Sequence, residues 1–96
     1  MTKIKFIHTT KIEPSLQKKL FETIEESFKK KLNPNFPNRK LQGAIYTHNF
    51  SCAGLISLID NFFYLDKLAV VSKFRGQGLG TSLLDEIINT YSPIKI

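Results

Sequence analysis

The chain of 96 residues is 42% hydrophobic and 23% charged, an ordinary globular composition whose length leaves room for one small domain. Fourteen Lys and Arg against eight Asp and Glu give a formal charge of +6, which favours an anionic partner. The single Cys52 excludes an internal disulfide and argues against a metal cluster. No apolar run approaches the roughly 18 to 20 residues that span a bilayer, and Met1-Thr2-Lys3-Ile4 carries neither a secretory apolar segment nor an Arg-rich presequence. A soluble protein in a reducing intracellular compartment is expected. So small a domain buries only about 60 to 70% of the surface of its unfolded chain, so a homodimer or a partner chain covering exposed edges is expected to add stability.

Lys3 to Thr9 alternates apolar and polar residues, with Ile4, Phe6 and His8 on one side, and predicts a half-buried strand. Pro14 suits the first turn of a helix, and Leu16, Leu20, Phe21, Ile24, Phe28 and Leu32 then recur at steps of three and four. Lys18, Lys19, Lys29, Lys30 and Lys31 alternate with Glu22, Glu25 and Glu26 along it, as on a solvated face. Asn33-Pro34-Asn35-Phe36-Pro37-Asn38 makes a loop, because each proline disfavours helix for the residue before it. Leu41 to Thr47, Cys52 to Ile59 and Phe62 to Val71 read as three strands of an antiparallel meander, joined at Asn49-Phe50-Ser51 and Asp60-Asn61. The last shows little clean alternation, as befits a central strand covered on both faces. Leu79, Leu83, Leu84, Ile87, Ile88 and Tyr91 predict a second amphipathic helix, ended by Ser92-Pro93, and Ile94-Lys95-Ile96 is a candidate for one more strand. The order is β, α, β, β, β, α.

Chemistry concentrates in Arg75-Gly76-Gln77-Gly78-Leu79-Gly80, between the last long strand and the second helix. A strand, a basic loop and a helix start bring several backbone N–H groups to the positive end of a helix dipole, where an anion fits. Glycine at 76, 78 and 80 removes the Cβ atoms that would hold a phosphate off the backbone, and Arg75 and Lys73 can add charge-assisted bonds. The plainer alternative is that the glycines only cap a strand and start a helix. No Lys follows Gly80, as a Walker loop requires, and the even spacing of Gly76, Gly78 and Gly80 does not match a dinucleotide fingerprint, so neither ATP nor NAD is supported.

The segment does match the [Arg/Gln]-x-x-Gly-x-[Gly/Ala] pattern of the GNAT superfamily of N-acetyltransferases, and the order of elements resembles that fold. More narrowly, Tyr64-Leu65-Asp66-Lys67-Leu68-Ala69-Val70 is similar to a Tyr-Leu-Asp-Lys-Phe-Ala-Val stretch in the acetyltransferase domain of eukaryotic-type N-acetylglutamate synthases and the related kinases of arginine biosynthesis. Ser27 to Leu32 and Gly43 to Tyr46 also resemble segments of that domain, so the likeness covers roughly residues 15 to 90.

The resemblance implies an α/β fold of mostly antiparallel sheet flanked by helices, and acetyl-CoA as acetyl donor. It implies that backbone groups of Leu68, Ala69 and Val70 hold the pantetheine arm and that the amides of Arg75, Gly76, Gln77, Gly78, Leu79, Gly80 and Thr81 hold the pyrophosphate. A backbone N–H near the strand's kink would polarise the thioester, and Lys67 would bind a carboxylate of glutamate as acceptor. The alternative for Lys67 is a pairing with Asp66 or simple exposure at a strand end. Tyr64 is expected to be a core aromatic with its hydroxyl at the surface, and His8 and His48, expected in strands, are assigned no role as general base; no catalytic residue is assigned. The family also implies a mitochondrial matrix location, with the cytoplasm as alternative. Complete members continue past the second helix with further strands and a helix, so residues 1–96 are expected to form one partial, truncated GNAT domain. Two functions follow: an N-acetyltransferase domain, or a non-catalytic coenzyme-A-binding module completed by a partner chain. A nucleic-acid module lacks aromatic interleaving and a recognisable binding motif.

Overall fold

A computed structural model describes residues 4–37 and 39–96. It contains β1 (Phe6–Thr9), α1 (Pro14–Phe28), β2 (Leu41–Thr47), β3 (Cys52–Ile59), β4 (Phe62–Val70), a 3₁₀ turn (Ser72–Phe74), α2 (Leu79–Thr90) and β5 (Ile94–Lys95). The strands form one sheet in the order β1-β2-β3-β4-β5, antiparallel throughout except for the β4–β5 pair, which is parallel. Asp60 and Asn61 both take left-handed conformations, the backbone that a tight two-residue hairpin demands and that Asp and Asn tolerate. The meander and the final strand thus form as the sequence predicts.

Two boundaries differ from the sequence reading by three residues or more, and β4 ends at Val70 rather than Val71. β1 begins at Phe6 rather than Lys3, which lies outside the described residues, as does Asn38 of the predicted loop. α1 ends at Phe28 rather than Leu32, because Lys29 turns left-handed (φ 53°) and its N–H closes back on the carbonyls of Glu25 and Glu26. Leu32 still packs beneath the helix: its N–H donates to Glu25 Oε2 at 2.8 Å, which draws the departing chain back. Phe28, expected on the buried stripe, is instead 53% exposed. His48 lies just beyond β2, exposed in a turn rather than in a strand.

The sheet separates two apolar layers. On one face α1 presents Leu20 and Ile24, both fully buried, to Ala44, Ala53, Leu55 and Ala69, and the three alanines leave room for the helix. On the other, α2 presents Leu79, Leu83, Ile87 and Tyr91 to Ile45, Cys52 and Ile56. Each fully buried Leu or Ile contributes roughly 1.5 to 3 kcal/mol, so these layers hold both helices to the sheet. β1 carries Phe6 into the α2 layer, and two residues on, His8 Nε2 meets Glu86 Oε1 of α2 at 2.9 Å.

Among the glycines, packing is tightest at Gly43, where Tyr91 lies against β2. A Cβ at Gly43 would lie 2.1 Å from Tyr91 Oη and 2.9 Å from the Thr9 carbonyl oxygen, and the second of these is backbone. Gly43→Ala is therefore expected to destabilise the fold by about 1 to 3 kcal/mol, read in a urea or thermal melt. Cys52 is completely buried, and burial pushes its thiol up, against smaller opposing hydrogen bonds from Thr47 and Ser51. With the folded value raised, this contribution to stability is present below the unfolded thiol's pKa of about 8.5 and is lost as pH rises through the folded value. At pH 8 a thiol reagent should label the native protein far more slowly than the urea-unfolded chain.

Candidate functional site at the free edge of β4

β4 is paired along its whole length with β3, but β5 meets it only at Phe63 and Tyr64. Immediately beyond that contact the β3–β4 register passes from Ile56↔Leu65 to Leu55↔Lys67, so Asp66 is an extra residue on β4, a bulge. The Val70 carbonyl accepts bonds from Ser27 and Arg75, so it faces away from β3. Residues of an antiparallel strand alternate in this respect, and Leu68 therefore also turns its N–H and C=O to the free edge, while those of Ala69 face β3.

The glycine turn sits beside this edge. Gly76 (φ 82°) and Gly78 (φ 77°) are left-handed, a backbone that side chains rarely adopt, and a Cβ on either would meet nothing within 4 Å. Gly78 caps α2. The first intrahelical bond runs from Ser82 N–H to the Gly78 carbonyl at 3.0 Å, so the N–H groups of Leu79, Gly80 and Thr81 precede the helix ladder. They point their partial positive charge into open space.

Of the ten residues predicted to hold the coenzyme, Leu68, Val70, Arg75, Gly76, Gly78, Leu79, Gly80 and Thr81 line one cleft of about 420 Å³, together with Ser27, Phe28 and Phe74. Ala69 and Gln77 stand apart. The Ala69 side chain is 2% exposed in the α1 layer, and Gln77 borders a separate hollow with His48 and Asn49. Lys73 lies on the exposed 3₁₀ turn, its ammonium 5.2 Å from the Phe74 ring centre. Arg75 is exposed, but its guanidinium lies against the end of α1: Nε donates to the Val70 carbonyl at 3.2 Å and Nη2 to both the carbonyl and Oγ of Ser27.

Lys67 borders a second, larger cavity of about 830 Å³ with Phe28, Lys30, Lys31, Leu32, Asn33 and Pro34. Phe28 is common to both spaces. Among the described residues Lys67 has no carboxylate partner; its ammonium lies 5.5 Å from the Phe36 ring centre and 6.0 Å from that of Phe28. Asp66 is taken up elsewhere, its Oδ1 3.4 Å from Arg39 Nε, with its side chain 7% exposed. The pairing of Lys67 with Asp66, one of the sequence alternatives, does not form. Tyr64 is half-buried, with Arg39 and Lys95 over its ring. Ser27 and Phe28 were not foreseen as lining residues: inside a helix of mixed charge they carry no local signal, and only the folded chain brings them to β4. No group of three or more His, Cys, Asp or Glu among the described residues is placed to hold a metal ion, and no helix there is long and apolar enough to cross a membrane.

A strand edge with no described partner past a bulge, followed by a left-handed glycine turn onto a helix N-terminus, is an arrangement suited to an anion. A family model described as an acetyltransferase (GNAT) domain matches residues 10–96, and the chain belongs to that family. Solved structures agree on the fold. The ribosomal-protein-S18-alanine N-acetyltransferase of Escherichia coli superposes with a TM-score of 0.64 at 15% identity, covering 91% of this chain and 59% of that one. An aminoglycoside acetyltransferase from an uncultured soil metagenomic sample gives 0.67 at 13% identity, covering 99% and 78%. A GNAT-family acetyltransferase of Staphylococcus aureus Mu50 gives 0.58 at 19% identity, covering 90% and 65%. The chain thus spans about three fifths of the Escherichia coli enzyme. A search of curated proteins returns no match.

Because nothing crowds Gly78, its requirement is conformational. Gly78→Val should cost about 1 to 2 kcal/mol of stability in a thermal melt, whereas Gly78→Asn, which tolerates the left-handed region, should cost clearly less.

Proposed function

We propose that the chain binds acetyl-CoA in the cleft along the free edge of β4 and serves in acetyl transfer to an amine that carries a carboxylate, with glutamate as the acceptor suggested by the Tyr64 to Val70 likeness. One observation carries the coenzyme assignment: the N–H groups of Leu79, Gly80 and Thr81, which precede the helix ladder, border the same cleft as the left-handed Gly76 and Gly78. Helix dipole and free amides together favour a pyrophosphate there. The free N–H and C=O of Leu68 and the N–H of Val70 are suited to hold an amide-bearing arm as a short added strand. The coenzyme supplies an activated acetyl thioester.

The residues of the chain then act by position and by local dipoles. Near the Asp66 bulge, past the last residue paired with β5, a backbone N–H can stabilise the oxygen of a thioester carbonyl as the amine attacks. In that step the C–N bond forms, the C–S bond breaks, and the amine's surplus proton leaves toward the thiolate or solvent. No enzyme-bound acetyl group is required. Lys67, cationic and free of a described carboxylate partner above two aromatic rings, is suited to a carboxylate of the acceptor. Its neighbours in the cavity add Lys30 and Lys31 and no acidic side chain.

Calorimetry should give saturable binding of acetyl-CoA and weaker, strongly salt-dependent binding of an oligonucleotide of equal charge; tight binding of the oligonucleotide alone would overturn the reading. In a thiol-release assay, turnover with glutamate is expected to exceed that with amino acids lacking the side-chain carboxylate. Coenzyme binding without turnover would select the second function, a coenzyme-binding module completed by a partner. Lys67→Ala should raise the KM for glutamate about tenfold or more while changing acetyl-CoA affinity less than about twofold.

A further inference from the structure

Arg75 opens the glycine turn, and its sequence position suggests a phosphate ligand; its side chain is used otherwise. Nε reaches the Val70 carbonyl and Nη2 reaches two atoms of Ser27, 48 residues earlier in the chain, which leaves only Nη1 uncommitted. Ser27 is 5% exposed, and its hydroxyl donates to the same Val70 carbonyl at 2.9 Å. Both lone pairs of that carbonyl are therefore engaged, one by each residue.

The chemistry of a helix end explains the arrangement. The Ser27 carbonyl belongs to the last turn of α1, whose carbonyls lack intrahelical partners and carry the negative end of the dipole. α1 has no basic residue of its own in that turn, and at Lys29 the chain turns away. Lys29, the C-cap, pairs with Glu26, and Arg75 supplies a cation from the turn beyond β4, with the planar fork that a single lysine ammonium cannot imitate. The next residue after Ser27 is Phe28, the wall that the β4 cleft shares with the Lys67 cavity.

We propose that Arg75 is a positioning residue: with Ser27 it latches the end of α1 to the free edge of β4, and it thereby fixes the Phe28 wall between the two spaces instead of binding phosphate. The proposal rests on the preceding reading only in taking the cleft as the coenzyme's. Two measurements test it, and the first needs no ligand. Arg75→Ala should lower the melting temperature by about 4 to 8 °C, the response of a domain of this size to the loss of one such anchor, and Arg75→Lys should not restore it. Ser27→Ala should lower it too, and the double variant should fall by less than the sum, because the two residues share bonds. A melt of Arg75→Ala equal to that of the unsubstituted protein, or strictly additive effects, would overturn the latch.

The second measurement separates positioning from phosphate contact by NMR titration with coenzyme A and with pantetheine, which lacks the pyrophosphate. Positioning predicts that Arg75→Ala weakens both by a common factor, about tenfold for one charge-assisted bond. Weakening confined to coenzyme A would make Arg75 a phosphate ligand and sink the proposal. If the unsubstituted protein binds neither compound, the coenzyme reading fails, while the melting series still decides the latch.

Discussion

The site is organised around β4, which pairs with β3 along its length and, past Tyr64, has no further partner among the described residues. Backbone N–H and C=O groups are obligatory hydrogen-bonding groups, and a strand edge left open exposes a row of them. The Asp66 bulge adds one residue to β4 just beyond Tyr64, its last partner residue on the β5 side, and Leu68 and Val70 further along line the cleft. The α2 N-terminus lies at the end of this edge, so two sets of unsatisfied backbone donors converge on one groove. Neither set alone would distinguish the fold from many others.

The two apolar layers hold this arrangement rigid from both faces. Alanines at 44, 53 and 69 let α1 settle close to the sheet, which brings Ser27 within reach of the Val70 carbonyl and Arg75. On the opposite face, Gly54 admits Ile87, whose Cδ1 would lie 2.5 Å from a Cβ at that position. The helix that presents its N-terminus to the cleft is thus seated by a contact at its far end. Stability and site geometry share the same residues, so large substitutions in either layer would displace the groove as well as weaken the core.

Charge is allocated unevenly. Lys29 pairs with Glu26 and Arg39 with Asp66, and these cations are locally compensated. Lys67, flanked by aromatic rings, and the uncapped amides of α2 are compensated by no described carboxylate, and they border two spaces that are both lined by Phe28. The net charge of +6 therefore overstates any general affinity for polyanions and understates the local preference of these two points.

The sequence by itself determined the elements and their chemistry. Periodicity is local, so the helix stripes, the meander and the turn at Asp60-Asn61 are legible from neighbouring residues, and the glycine pattern points to an anion site on the same local ground. Boundaries were less legible: the apolar period of α1 runs on to Leu32, but the left-handed Lys29 ends the helix four residues sooner, because Leu32 packs equally well from a loop. Only the tertiary structure decided which groups are free. That Asp66 binds Arg39 and leaves Lys67 unpaired, that Arg75 reaches Ser27, and that Phe28 lines two spaces are contacts between residues distant in the chain. A hydrogen-bonding group's availability is set by who reaches it first in space, and residue type and spacing do not record that.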